Sequence, residues 1–314
     1  MKKIHFLSIS LLAMIIAGCS IRSDEQKQPS DSLKDTPINV KVLMTEIQTR
    51  AGYDNDNQPT MFYLSIDQGG ESYDYHNVVM KYEEDKWVAY ESADVNAAKQ
   101  QLLWEGSEGT VTVTAATFSL STSSNTSYSL SVAADQSYDE NLKACDHLYY
   151  YSNNIKPSVA GISIQFDHIM SKVEIKLTLR DEFEGLDDPI TSVVLTGASL
   201  SASYTPAAET KWSGLSIADD VVIKACPLAA YDKEARTATY EVILIPQSVA
   251  EKSLCVTIFI GDNSYEWNSA DAVTLTSGIK EILSLTVGRD KVSGNSFTAS
   301  AWESAGEEIN RKTE

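Results

Sequence analysis

Ile162, Ile164, Phe166, His168 and Met170 fall on one face of an extended chain, and Val173, Ile175, Leu177 and Leu179 follow on a face of opposite parity. Alternation at period two sends every second side chain to the same side of a pleated strand. This longest apolar stretch therefore reads as β-structure and demands a second sheet to cover it. The phase slips at Ser171-Lys172, so the stretch is either one long strand bent at a bulge or two strands meeting at a corner.

The same pattern, short apolar runs separated by turn residues, recurs from Tyr53 onward and predicts an all-β protein. Thr60 to Ile66 reads as a strand ended by Asp67-Gln68-Gly69-Gly70, and Tyr75 to Tyr82 with Lys86 to Tyr90 as a hairpin turning at Glu83-Glu84-Asp85. Thr110 to Leu120 is a strand whose parity changes between Ala115 and Phe118, which suggests a bulge. Further strands are expected over 191–202, 221–226, 237–245, 253–260, 265–268, from Leu283 to Val287 and over 296–302, with Gly261-Asp262-Asn263-Ser264 turning a second hairpin. One segment breaks the pattern. From Asp94 to Trp104, Val95, Ala98 and Leu102 recur at helical spacing behind a possible Asp94 cap, which predicts a short helix or helical turn. Ser121 to Gln136 is rich in Ser, Thr, Asn and Ala and reads as an exposed loop or weak edge strand. The acidic, turn-rich Arg180 to Pro189 places a domain boundary, dividing the chain into units at 38–180 and 190–302.

The chain begins with an address. Lys2 and Lys3 form a positive region, Ile4 to Ala17 an apolar one too short to span a membrane, and Ile16-Ala17-Gly18-Cys19 closes it. This four-residue ending looks like a bacterial lipobox, making 1–19 a signal peptide and Cys19 the lipidated N-terminus of an exported protein. Residues 20–37, polar with two prolines, read as a tether. Next comes a strand over 38–48, with Ile38, Val40, Val42 and Met44 on one face and Asn39, Lys41, Leu43 and Thr45 on the other. Directly behind it, Gln48-Thr49-Arg50-Ala51-Gly52 is a small, polar run with one cationic side chain, which an arginine-specific protease needs to find on a surface loop. At the other end, 303–314 is a polar tail with no strand pattern of its own.

Composition excludes more than it names. The 314 residues carry 44 acidic and 25 basic side chains and a formal charge of -19, so nucleic acid is not an expected partner. Outside the signal peptide only His76, His147 and His168 remain, and there is no HxxEH, GxSxG or phosphate-cradling glycine loop. No enzyme activity, cofactor or metal is expected. His168, on the apolar face of a strand, reads as a hydrogen-bonded structural histidine. Cys145, Cys226 and Cys255 sit at no metal-ligand or CxxC spacing and read as small buried side chains, though an exported protein could join two of them.

Several short pieces, taken in order, resemble the fimbrillin family, the type V pilins of Bacteroides-type bacteria. They are the lipobox, Thr49-Arg50-Ala51 after a first strand, Asp146-His147-Leu148-Tyr149, Phe166-Asp167-His168-Ile169-Met170-Ser171-Lys172-Val173, Ile245-Pro246-Gln247, and a last strand carrying Trp302. The resemblance implies two transthyretin-like β-sandwich domains in tandem and a precursor anchored in the outer membrane through Cys19, with palmitate among its lipid chains. It implies cleavage between Arg50 and Ala51 by an arginine-specific protease. Loss of the plug residues Ile38, Val40, Val42 and Met44 would open a groove for a strand from another pilin subunit, building a surface fimbria that serves adhesion to a host or bacterial ligand. The candidate donor is 296–302, with Phe297, Ala299 and Ala301 on one face and Trp302 starting the other. If that tail folds back into its own domain, the protein is expected to cap or decorate a filament at its tip or anchor rather than extend it. The competing reading is a non-polymerising surface lipoprotein that binds glycan, supported by five Trp and fifteen Tyr. Trp87, Trp212 and Trp267 nevertheless lie in or beside strands, where core packing is the commoner fate.

Overall fold

A computed structural model describes residues 33–44, 53, 57–121, 126–215, 221–294 and 297–302. Cys19, Arg50, Ala51 and the 303–314 tail lie outside the described residues. The first half contains β1 (Val40–Met44), β2 (Met61–Asp67), β3 (Tyr75–Glu83), β4 (Lys86–Tyr90), β5 (Lys99–Gln100), β6 (Val111–Ala116), β7 (Tyr128–Ser131), a short helix α1 (Asp139–Ala144), β8 (Leu148–Ile155) and β9 (Ile162–His168). The second half contains β10 (Ser171–Leu179), β11 (Ile190–Thr196), β12 (Ser201–Tyr204), β13 (Trp212–Ser213), β14 (Ile223–Lys224), β15 (Cys226–Pro227), β16 (Thr237–Leu244), β17 (Gln247–Val249), β18 (Cys255–Ile260), β19 (Asn263–Asn268), β20 (Val273–Leu275), β21 (Ile279–Val287), β22 (Val292–Gly294) and β23 (Thr298–Ala301).

The all-β expectation holds, with sheets stacked in sandwich fashion. An eight-stranded sheet runs β1-β9-β8-β6-β2-β3-β4-β5, a six-stranded one β15-β16-β10-β21-β22 with β23 also on β21, and a four-stranded one β14-β11-β18-β19. Two smaller sheets, β13-β12-β7 and β17-β20, complete the set. Inward residues of the eight-stranded sheet, among them Phe62, Leu64, Val113, Ile164 and Phe166, enclose one core with Trp104. Val173, Ile175, Leu177, Leu285, Val193 and Ile258 belong to a second, between the six- and four-stranded sheets. A third, with Leu130, Leu142, Met170, Tyr204, Ile243 and Trp302, joins the three-stranded sheet to the outer face of β16.

The long alternating stretch is two strands meeting at a corner. β9 belongs to the eight-stranded sheet, β10 lies centrally in the six-stranded one, and buried Ile169 and Met170 make the turn between them. The parity slip thus marks a change of sheet. The boundary expected at 180–189 falls after β10, whereas the change of core falls before it, because β10 is hydrogen-bonded to β16 and β21.

Both predicted hairpins form. Glu84 and Asp85 both take positive φ, 49° and 63°, matching the right-handed twist of β3 and β4. Gly261, at φ 57°, turns β18 into β19. Of the short helix or helical turn expected over 94–104, only a single turn forms, closed by Ala97 N–H to Asp94 O at 3.2 Å. Val95 is 95% exposed, β5 pairs with β4, and buried Leu102 and Trp104 alternate with Leu103 at strand spacing. So short an amphipathic run gains little from its own helical bonds and loses to partners supplied by distant strands. β6 ends at Ala116, and its ladder irregularity lies between Val111 and Val113 on the β8 side, not near Phe118. The Ser121–Gln136 segment does contain an edge strand, β7, paired with β12. The six-residue helix α1 buries a single side chain, Leu142, too few to leave a helical period in the sequence.

Candidate functional site

The first strand is held along two edges at once. Val40 to Met44 run parallel to β9, in register from Val40 opposite Ile162 to Met44 opposite Phe166. The residues just upstream take the other edge. Asp35 N–H donates to Trp104 O at 3.0 Å, Ile38 N–H to Leu102 O at 2.9 Å, and Trp104 N–H returns a bond to Thr36 O at 2.9 Å. One continuous segment therefore ties β9, at one end of the eight-stranded sheet, to the 102–104 segment that follows β5 at the other. The predicted facing is observed where side chains are described: Ile38 and Val42 are buried in the first core, Val40 packs against it, and Lys41 and Leu43 face outward. Met44 is placed by its backbone register.

The approach of this segment to β9 depends on Gly161. Its φ is +81°, and a Cβ added there would lie 1.9 Å from Asn39 O, the same oxygen that accepts the Ile162 N–H at 2.8 Å. Only a residue without a Cβ permits that approach. In the sequence Gly161 reads as an ordinary turn residue, and nothing ties it to Asn39 at a distance of over a hundred positions.

The C-terminal strand is also docked. β23 pairs antiparallel with β21, from Ile282 opposite Thr298 to Ile279 opposite Ala301, and Trp302 N–H donates to Gly278 O at 3.0 Å. Ala299 and Trp302 are buried, while Phe297 packs at the edge of the second core. The Trp302 ring stacks on His168, with centroids 4.4 Å apart and planes 13° from parallel, and the Lys172 ammonium lies 5.2 Å from the ring centroid.

Beneath Trp302 is a buried polar seam built from the quoted motifs. His168 Nδ1 lies 2.8 Å from Asp146 Oδ1, and the other carboxylate oxygen accepts the Tyr53 N–H at 2.9 Å. Lys172 and Glu241, both fully buried, pair at 3.4 Å. Burial pushes the Glu241 carboxyl up to about 7 even though Lys172 pulls the other way. The structural role expected of His168 is thus observed, with Asp146 as its partner. The seam thus brings Tyr53 and Trp302 to one place.

Other singled-out residues are structural. His147 bonds Ser131 O at 3.0 Å, and burial lowers its pKa. Cys145, Cys226 and Cys255 are free thiols, and burial raises the first two to about 11 and about 12. Gln247 of the Ile245-Pro246-Gln247 piece is buried, accepting from Ser199 N–H at 2.9 Å and donating to Ile245 O at 2.9 Å. Trp87 packs edge-on to Phe62, Trp212 tilts over Tyr204, and Trp267 meets Phe297.

Fold and site together define an all-β, multi-sheet protein whose N- and C-terminal strands are both docked on sheet edges. A family model described as fimbrillin-like matches residues 49–302. The chain belongs to the fimbrillin-like family and is on that ground a fimbrial component. Two solved structures share its fold. A candidate cell adhesion protein from Bacteroides ovatus is 13% identical with a TM-score of 0.64, covering 87% of this chain and 99% of that one. A second such protein, from Bacteroides uniformis, is 12% identical with a TM-score of 0.53, covering 85% and 98%. No curated protein matches this sequence.

Proposed function

We propose that the chain is a fimbrial subunit exported as a lipoprotein through Cys19, and that cleavage between Arg50 and Ala51 removes its first strand. The observation that carries this reading is the double-edged docking of residues 33–44. Because that segment is N-terminal, one cut within 45–52 severs it from the body, and Tyr53 keeps the new end tied to Asp146. Its loss strips Leu102, Trp104 and Ile162 of backbone partners and uncovers Ile38's and Val42's places in the first core. A buried backbone group left unpaired costs about 1–3 kcal/mol, so the open groove draws in an extended segment, and a strand of another subunit supplies one.

The division into two sandwich units is part of the proposal, with β10 assigned to the second. The C-terminal strand sets the position in the filament. Phe297, Ala299, Ala301 and Trp302 could donate to a neighbour only after β23 leaves β21. Their docking on their own chain supports a subunit that receives a strand and gives none, the part of a tip or an anchor. Adhesion to a host or bacterial ligand belongs to the same reading, as does the outer-membrane location of the lipidated precursor.

Mass spectrometry of the N-terminus of native surface material is expected to find Ala51, and Arg50→Ala is expected to remain monomeric. Intact lipidated Cys19 on all surface material, or normal filament incorporation of Arg50→Ala, would overturn the proposal.

A further inference from the structure

A groove of about 720 Å3 opens beside the second core, between the start of β11 and the β15–β16 edge, with Tyr138 from the turn before α1 on its rim. Such a volume suits a ligand of a few rings. Tyr138 is 66% exposed, Tyr231 is half-buried, and Tyr240 is buried against Ala238, so aromatic surface meets small side chains over which a flat ring can slide. The Tyr231 hydroxyl is buried without a hydrogen-bond partner among the described residues, and the exposed Asp188 lines the same groove. Burial raises the pKa of both the Tyr231 and Tyr240 hydroxyls, opposed by Arg236 and helped by Asp232 and Asp188 at Tyr231 and helped by Asp188 at Tyr240, so both are donors at neutral pH.

An apolar occupant would leave the buried Tyr231 hydroxyl unsatisfied and strip water from the exposed Asp188 carboxylate, and both are costly. An anion would meet Asp188 and a chain of net charge -19, and Lys224, the cationic side chain lining the groove, is already paired with Asp135 at 3.2 Å. What fits is a neutral ring with an apolar face and a hydroxylated edge. We propose that this groove binds a neutral oligosaccharide, its rings stacked on Tyr138 and Tyr231 and its hydroxyls bonded to the Asp188 carboxylate and the Tyr231 hydroxyl.

The adhesive meaning of such binding rests on the fimbrial reading above, but the binding itself does not. The test uses the purified, uncleaved full chain on an array of neutral glycans ending in galactose, glucose, mannose or N-acetylhexosamine, beside sialylated glycans, with hits confirmed by saturation-transfer NMR. The expected result is binding to a neutral glycan. Tyr138→Ala and Asp188→Asn are each expected to weaken it about tenfold or more, the loss of one charge-assisted hydrogen bond or one stacking face. Both variants should melt at the wild-type temperature, and Tyr151→Ala, which removes an exposed tyrosine of β8, should bind as wild type. Binding to no neutral glycan, binding to sialylated glycans alone, or undiminished binding by both groove variants would overturn the proposal. None of these outcomes touches the Arg50 experiment, and failure of that experiment leaves this one intact.

Discussion

At Gly161 the backbone turns with φ +81° and passes so close to Asn39 that a Cβ would sit 1.9 Å from the carbonyl oxygen. A methyl group there suffers the left-handed conformation, roughly 1–3 kcal/mol, and also pushes the first strand off β9. Gly161→Ala is therefore expected to lower the melting temperature and to speed amide exchange selectively over Asn39 to Met44; unchanged exchange there would refute the close-approach argument. Glu241 makes a different prediction. Its folded value of about 7 lies above the ordinary carboxyl value of 4.5, so between those two pH values the native state holds a proton that the unfolded chain has released. This contribution to stability is complete below 4.5 and fades as pH rises towards 7, by roughly 3 kcal/mol at most. Glu241→Gln should flatten that decline in a denaturant titration across the window. The slope is the readout, because the neutral Gln stands in for the protonated carboxyl below about 7 and deprives the buried Lys172 of a carboxylate only above it.

At the scale of elements, β23 is held by few ladder bonds to β21 and by the burial of Trp302 against His168 and Lys172. Replacing a fully buried tryptophan by alanine costs roughly 3–5 kcal/mol. In Trp302→Ala that loss should appear first as release of β23. Amides of Ile279 to Ile282 are expected to exchange faster and the C-terminal segment to become protease-sensitive, while the β1–β9 ladder keeps its protection. Equal protection of β21 in variant and wild type would mean that the seam does not hold the strand. The elements themselves were readable wherever local chemistry decides. Alternation marked β2, β9, β10, β16 and β18, and the two hairpins followed from their turn residues. The 94–104 segment misled because Val95, Ala98 and Leu102 satisfy a helical template locally, while its real hydrogen-bond partners are Thr36, Ile38 and β4, which no local window contains.

For the whole molecule, the amino-acid order alone determined the all-β class, the inward face of Ile38, Val40 and Val42, and the structural role of His168. It could do so because period-two patterning and residue type are local properties of a chain. Only the tertiary structure decided that β10 leaves the first core for the second, that residues 35–44 bridge both ends of one sheet, and that the C-terminal strand lies on β21 of its own chain. It also decided that Tyr53, Asp146, His168 and Trp302 meet in one seam. Each of these depends on which of several equivalent edges a strand finds. Backbone edges offer the same donors and acceptors everywhere, so the choice is made by burial and close approach between residues far apart in sequence, as at Gly161 and Asn39.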